Sequence, residues 1–270
     1  MRRAVEGDRA RLLDYLRLEP EVNLFIAGDI VNFGFNSPAV DYYIQESDGA
    51  ISAVLTRYRT NLIPYTRDLS GDLGPMTAAV NACLRPVGGW MVSGKKQILD
   101  RIQPRLSLPP RNALDMFLCA CREVQPRVPL DRLPMVVRAS ASDAAEIYAL
   151  IQSIREFAGG SMGVETLAEE IASGKTRVAI IRDAESGRLV SCASVVAETD
   201  TAAMVILVGT DERHRRKGYA SACVYYLVHD LERRGKSACL FFHNPEAGAI
   251  YHRLGFVNIG MWKMLKFGGR

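Results

Sequence analysis

The sequence predicts an α/β protein of two tandem domains, and three observations carry that expectation. Its 270 residues are long for one small domain and comfortable for two. Short β-branched runs alternate with segments whose apolar residues recur at helical spacing. The pattern then halts at Gln125-Pro126-Arg127-Val128-Pro129-Leu130-Asp131-Arg132-Leu133-Pro134, a stretch with little capacity for helix or sheet, and restarts after it. The expected division is therefore a domain over 1–125, a proline-rich linker over 126–135, and a second domain over 136–270.

In the first half, residues 10–18 read as an amphipathic helix built on Leu12, Leu13 and Leu16, ended by Pro20. Residues 23–30 read as a second short, apolar helix. Residues 41–45 and 50–58 are strands around the Ser47-Asp48-Gly49 turn, a hairpin signature. A helix follows over 77–84, a brief strand over 88–93, a helix over 95–102 and an apolar strand over 113–123.

The second half opens with a helix carrying Ala144, Ile147, Leu150, Ile151 and Ile154 on one side, and another over 164–172. Strands are expected over 177–182 and 189–198, joined through the Ser186-Gly187 turn. Met204-Val205-Ile206-Leu207-Val208 is a buried-strand run, followed by the cationic loop Arg213-His214-Arg215-Arg216-Lys217-Gly218-Tyr219-Ala220. From Ala220 the spacing turns helical, with Cys223, Val224, Leu227, Val228 and Leu231 on one face and a stop at Gly235. A strand over 237–242, a helix capped by Asn244 with Pro245 at its first position, and a final strand over 256–267 complete the chain.

Composition narrows the function classes. Hydrophobic content of 48%, charged content of 24% and a net charge of +4 are ordinary for a globular protein, and too mild for a broad nucleic-acid footprint. The six cysteines lie mostly in apolar runs, where free cysteine packs as a small hydrophobe, and neither they nor the four histidines show a metal spacing. No segment approaches the ~18 consecutive apolar residues of a membrane span, and no apolar leader follows Met1-Arg2-Arg3. The expectation is a reduced, cytoplasmic protein without metal, nucleic acid or membrane partner. Gly174-Lys175-Thr176 imitates a phosphate loop, but Glu169 stands where its first glycine belongs.

A strand, a basic glycine loop and a helix together read either as an anion site or as a solvated basic turn capping an ordinary helix. The first N–H groups of a helix lack internal partners and its dipole favours negative charge there, while small residues let a diphosphate approach the backbone. The spacing Arg215-x-x-Gly218-x-Ala220 resembles the pyrophosphate motif, Gln/Arg-x-x-Gly-x-Gly/Ala, of the GNAT superfamily of N-acetyltransferases. Downstream, Asn244-x-x-Ala247-x-x-x-Tyr251-x-x-x-Gly255-Phe256 resembles that family's second signature. Both occur in order, each on the expected element.

The resemblance implies tandem GNAT-like domains, each a mixed central sheet flanked by helices, with the cofactor site in the C-terminal one. It implies acetyl-CoA as co-substrate, with Arg215, Arg216, Lys217, Gly218, Tyr219 and Ala220 around the pyrophosphate. Val208 and Thr210 would flank pantetheine, Asn244 would contact the cofactor arm, and Tyr251 would protonate the departing thiolate. Glu198, at a strand end, is the candidate general base, while Tyr148 and Glu165 are candidates to line the acceptor side. The expected reaction is direct attack of a primary amine, on a small-molecule acceptor, in a ternary complex. The alternatives are a catalytically silent CoA-binding sensor or interaction module, and acylation of a protein or tRNA.

The first half weakly echoes the second, hairpin against hairpin. Its counterpart of the phosphate loop would fall near Arg67-Asp68-Leu69-Ser70-Gly71-Asp72-Leu73-Gly74, whose two aspartates repel a diphosphate. The N-terminal half is thus expected to be a degenerate GNAT-like domain that shapes the acceptor side, the alternative being an unrelated α/β domain. Nothing in the sequence sets the oligomeric state.

Overall fold

The computed structural model describes residues 1–85, 88–126, 130–154, 157 and 163–268. Two compact units emerge, Met1–Leu118 with Ile259–Arg270, and Cys119–Asn258. The expected boundary at 126–135 differs from this division. Residues 127–129 of that stretch lie outside the described residues, and 130–135 form a 3-10 turn inside the second unit. Prolines mark where regular structure stops, but strand pairing decides which unit a segment joins.

The first unit contains β1 (Arg2–Arg3), α1 (Arg9–Leu16), α2 (Leu24–Phe33), β2 (Val40–Ser47), β3 (Ala50–Tyr58), β4 (Asn61–Thr66), α3 (Gly74–Cys83), β5 (Trp90–Lys95), α4 (Lys96–Ile102) and most of β6 (Asn112–Cys121). The expected hairpin is β2–β3, turned by Asp48 and Gly49 at φ of 51° and 78°, the doubly positive turn that matches strand twist. β4 runs antiparallel to β3 and parallel to β5, pairing with the latter at Asn61–Met91 and Leu62–Val92. The chain's last strand, β12 (Val257–Phe267), lies antiparallel on β5, and its Leu265 and Phe267 enter this unit's core with Leu55, Leu62, Val92 and Leu99. Main-chain pairing and two buried side chains thus place the C-terminal end in the first unit.

The second unit contains β7 (Val136–Arg138), α5 (Ala144–Ser153), α6 (Val164–Ala172), β8 (Arg177–Arg182), β9 (Leu189–Val196), β10 (Ala202–Thr210), α7 (Tyr219–Arg233), β11 (Ser237–Phe242) and α8 (Pro245–Arg253). β7, β8, β9 and β10 pair antiparallel in succession, and β11 joins β10 in parallel, which makes the sheet mixed. β8 and β9 are buried on both faces, consistent with their continuous apolar runs. α7 packs its Cys223, Val224, Leu227, Val228 and Leu231 into the core against Ala203, Val205 and Leu240. On the other face, α5 and α6 bury Ile147, Leu150, Leu167 and Ile171 against Val178 and Ile180. All six cysteines are free thiols. Among the described residues, no helix is long and apolar enough to cross a membrane.

Candidate active site

The site begins where two parallel strands part. β10 and β11 pair at Ala202–Ser237, Ala203–Ala238 and Met204–Cys239, and no ladder continues between them beyond that point. β10 then bulges, its register against β9 shifting between Ile206 and Gly209, with Leu207 at a φ of 52°. A left-handed leucine costs of order 1–3 kcal/mol and persists only where the surroundings impose it. Ile154 and Phe157 press on the bulge: a Cβ at Gly209 would lie 2.3 Å from Ile154 Cδ1 and 3.4 Å from Phe157 Cε2.

A cleft of about 970 Å³ opens at the parted ends. This lies at the upper end of the range for small-molecule and cofactor sites. One wall is the loop leading into α7. Arg216 and Gly218 both take positive φ, 63° and 78°, and Gly218 caps α7 with no side-chain hydrogen bond. The N–H groups of the first turn therefore face the cleft, at the positive end of a 15-residue helix. These N–H groups could hold a diphosphate. The loop is anchored at its start by His214, whose Nδ1 lies 2.8 Å from Asp211 Oδ1 and whose Nε2 lies 3.5 Å from Asp183. Asp211 also accepts the Arg213 N–H at 3.1 Å. Its carboxyl is held below the usual range, chiefly by the hydrogen bond to His214.

The opposite wall is α8. Asn244 Oδ1 accepts the Glu246 N–H at 2.8 Å, and Pro245 fills the first helical position. Gly248 is small because Phe242 lies against it; a Cβ there would sit 2.4 Å from Phe242 Cε2. The next turn brings Tyr251 to the cleft, 8% exposed, between the rings of Phe242 and Phe256 at 6.0 and 5.9 Å. Burial, with a smaller contribution from Cys119, pushes its phenol up to about 12. The Cys119 thiol is itself pushed up to about 12 by burial, and it donates to Asn258 Oδ1 at 2.9 Å.

Of the residues expected at the site, Val208, Thr210, Arg215, Arg216, Lys217, Gly218, Tyr219, Ala220 and Tyr251 all line this cleft. Tyr219 does so with its backbone end, since its ring is buried in the core. Asn244 is not a lining residue; its side-chain oxygen is engaged in capping α8.

Glu198 is also absent from the cleft, and the structure corrects its reading as a base. Its carboxylate accepts hydrogen bonds from Arg177, Arg234 and Lys236 at 2.6, 2.7 and 2.6 Å, at the closed end where β10 and β11 begin. β10 runs roughly 25 Å from that end to Thr210. Burial alone would raise this carboxyl, but Lys236, Arg177 and Arg234 outweigh it and hold it low. Tyr148 and Glu165 lie on α5 and α6 and do not line the cleft either.

Sequence reasoning missed Arg132, His214, Glu246, Ile250 and Arg253, which the fold brings to the same cleft. Ile250 and Arg253 lie within the second signature, where α8's 3.6-residue period sets them near the face of Tyr251. Arg132 carried no signal, because it sits in the proline-rich stretch. Among the described residues, no group of three His, Cys, Asp or Glu side chains is placed to hold a metal ion.

The corresponding loop of the first unit is closed by its own side chains. Asp68 accepts the Ser70 N–H and Asp72 the Gly74 N–H, each at 2.8 Å, at the start of α3. Asp72 thus takes the first N–H group of α3, and Asp68 takes one from the loop before it.

Comparison with known proteins agrees with this geometry. A family model described as GNAT acetyltransferase matches residues 178–265. No curated protein matches the chain. Among solved structures, a Drosophila protein aligns at 12% identity and a TM-score of 0.72, covering 99% of this chain and 98% of its own. A GCN5-related N-acetyltransferase from Sphaerobacter thermophilus aligns at 15% identity and 0.67, covering 98% and 94%. A tandem GNAT protein from the clavulanic acid biosynthesis pathway aligns at 13% identity and 0.60, covering 100% and 98%. At these identities the likeness shows the fold, and it extends over both halves. Residues 178–265 thus match the GNAT acetyltransferase family in sequence, and the likeness in fold runs over the whole chain.

Proposed function

We propose that the protein is an acetyl-CoA-dependent N-acyltransferase that acetylates a primary amine by direct attack in a ternary complex. The observation that carries this reading is the continuity of one cleft, from the uncapped start of α7 to the side chain of Tyr251. Acetyl-CoA would supply the activated acyl group. The N–H groups from Arg216 to Ala220 would hold its diphosphate, with the parted edge of β10 at Val208 and Thr210 beside its arm. Tyr251, protonated at any physiological pH, would deliver a proton to the departing sulfur.

Proton removal from the acceptor is not assigned to Glu198, whose carboxylate is committed to three cations. A lysine-type amine costs roughly 4.6 kcal/mol to deprotonate at pH 7 and an α-amine about 1.4. An acceptor of low pKa, aided by water, fits this cleft best. The same missing base favours the second reading, a CoA-binding module without turnover.

Calorimetric titration of acetyl-CoA into wild type and Gly218→Glu tests the site. Wild type should bind, and the variant should lose binding because its carboxylate enters the anion cradle. Release of free thiol with a panel of amines then separates enzyme from silent binder. No binding by wild type would sink both readings.

A further inference from the structure

A second cavity of the second unit, about 440 Å³, shares no lining residue with the cleft. Its size falls within the range of small-molecule sites. Residues of α7 form much of its wall, and Arg138 of β7 and Leu133 of the 3-10 turn Leu130–Met135 contribute the rest with Arg177 of β8. On α7, Tyr225, His229 and Arg233 recur at intervals of four, so they stand in one row along the helix surface. The rings of Tyr225 and His229 stack, their centroids 5.7 Å apart and their planes 12° from parallel. Tyr226 adds a third ring, 39% exposed. Leu133 and Tyr225 also pack onto the core, which fixes the wall in place. The row is thus aromatic over its first turn and ends on a guanidinium.

Charge decides what such a wall attracts. Arg177 is 9% exposed, and its guanidinium donates to Asp230 and, at 2.6 Å, to Glu198. Arg234 donates to the same two carboxylates at 2.9 and 2.7 Å, and Lys236 to Glu198 at 2.6 Å. Three cations therefore share two carboxylates, and Asp230, the carboxylate on the lining, is already taken up. Arg138 and Arg233 are exposed, and neither guanidinium has an ion-pair or hydrogen-bond partner among the described residues. A concave surface whose unengaged charge is cationic concentrates anions. Guanidinium groups pair with carboxylates in a planar, bidentate way and stack on aromatic faces.

We propose that this cavity is a second ligand site, for a small planar aromatic anion. The ring of the ligand lies along the Tyr225–His229 face, and its negative charge sits between Arg138 and Arg233. This site is independent of the acyl-transfer reading, because none of its residues lines the cleft.

The test titrates naphthalene-2-carboxylate, its uncharged carboxamide and acetate into the isotope-labelled full chain, followed by backbone amide shifts. The carboxylate should saturate with a Kd on the order of 0.1–1 mM, as expected for a ligand of that size. Its shifts should centre on residues 225–233 and on β7. The carboxamide, which lacks the charge, and acetate, which lacks the ring, should each bind at least about 10-fold more weakly. Arg138→Gln and Arg233→Gln should each weaken the carboxylate roughly 10-fold, and more at low salt than at high. His229→Ala should weaken it about threefold. No saturable shift, or carboxamide or acetate binding as tightly as the carboxylate, would overturn the assignment. So would unchanged affinity in both arginine variants, or shifts centred on 215–220, which would mean that the loop before α7 takes the anion. The three replaced residues are exposed, so melting temperatures should stay at the wild-type value. The three ligands on wild type decide ring and charge even if a variant loses its fold.

Discussion

Replacing Tyr251 with phenylalanine removes one hydroxyl from a side chain packed between Phe242 and Phe256, and leaves those ring contacts in place. The phenol titrates at about 12, so at neutral pH it is an acid that keeps its proton until something more basic forms beside it. Against an unperturbed thiol at about 8.5, delivery of that proton would run uphill by about 4.8 kcal/mol. The site alters that comparison. Burial pushes the neighbouring Cys119 thiol up to about 12, so a leaving thiolate desolvated to that same extent would be about as basic as the phenolate. The transfer then becomes roughly level, the condition under which general-acid catalysis is effective. Tyr251→Phe should therefore lower kcat roughly 100-fold or more, with acetyl-CoA affinity and melting temperature close to wild type. The assay is steady-state thiol release across pH 6 to pH 10, with calorimetry for binding. Wild type should show no falling limb in that range, because its acid titrates above it. A loss of less than about threefold, or an alkaline limb below pH 10 that persists unchanged in Tyr251→Phe, would refute the assignment.

Glu198→Gln should leave kcat within about twofold while destabilising the fold by about 2 kcal/mol, because it breaks charged hydrogen bonds at the closed end of the strands. The folded carboxyl is held below its unfolded value, so its stabilisation is present above that value and is lost as pH falls through the folded one. The melting difference between variant and wild type should thus shrink on acidification from pH 7 to pH 4; a difference that grows, or a large fall in kcat, would contradict this role. Asp29, on α2, is pushed the other way, up to about 7, by burial. Its contribution is fully present below the unfolded carboxyl value and is lost as pH rises through about 7. Asp29→Asn should accordingly raise the melting temperature at pH 8 and change it little at pH 4, and equal effects at both would exclude the buried carboxyl as the cause.

The loop and helix that flank the cleft were legible because their motifs encode backbone geometry. Gly218 must take a positive φ at the start of α7, and Gly248 must be small against Phe242; such demands fix residue types at fixed spacing. Glu198 shows the opposite case. A carboxylate at a strand end looks alike in sequence whether the strand ends at the open or the closed side, and only register against β11 decides. β4 was weakly marked because it contains Pro64, which the fold tolerates where its ladder to β5 has already ended at Leu62. The last strand read correctly as a strand, yet nothing in its alternation says that Leu265 and Phe267 belong to the first unit's core. Partner choice is a tertiary property, settled by which surfaces remain unpaired after local structure has formed.

The two units show how one topology carries or loses an anion site. In the first, as in the second, an antiparallel hairpin leads to a strand that pairs in parallel with the next for a few residues and then parts from it. Where the strands part in the first unit, Lys95 of β5 reaches Glu19 at 2.9 Å and lies 5.9 Å from the ring of Tyr65 on β4, whose hydroxyl also donates to Glu19 at 2.8 Å. The opening is filled by the unit's own ion pair. At its loop, Asp68 and Asp72 take the N–H groups that Arg216 to Ala220 leave open in the second unit. A phosphate brought beside one such carboxylate meets like charge, a repulsion that solvent and salt screen at these exposed positions. The two aspartates oppose anion binding at the place where the second unit's loop is cationic. The fold sets where an anion site can be, and the charge of two loop residues decides whether it is one.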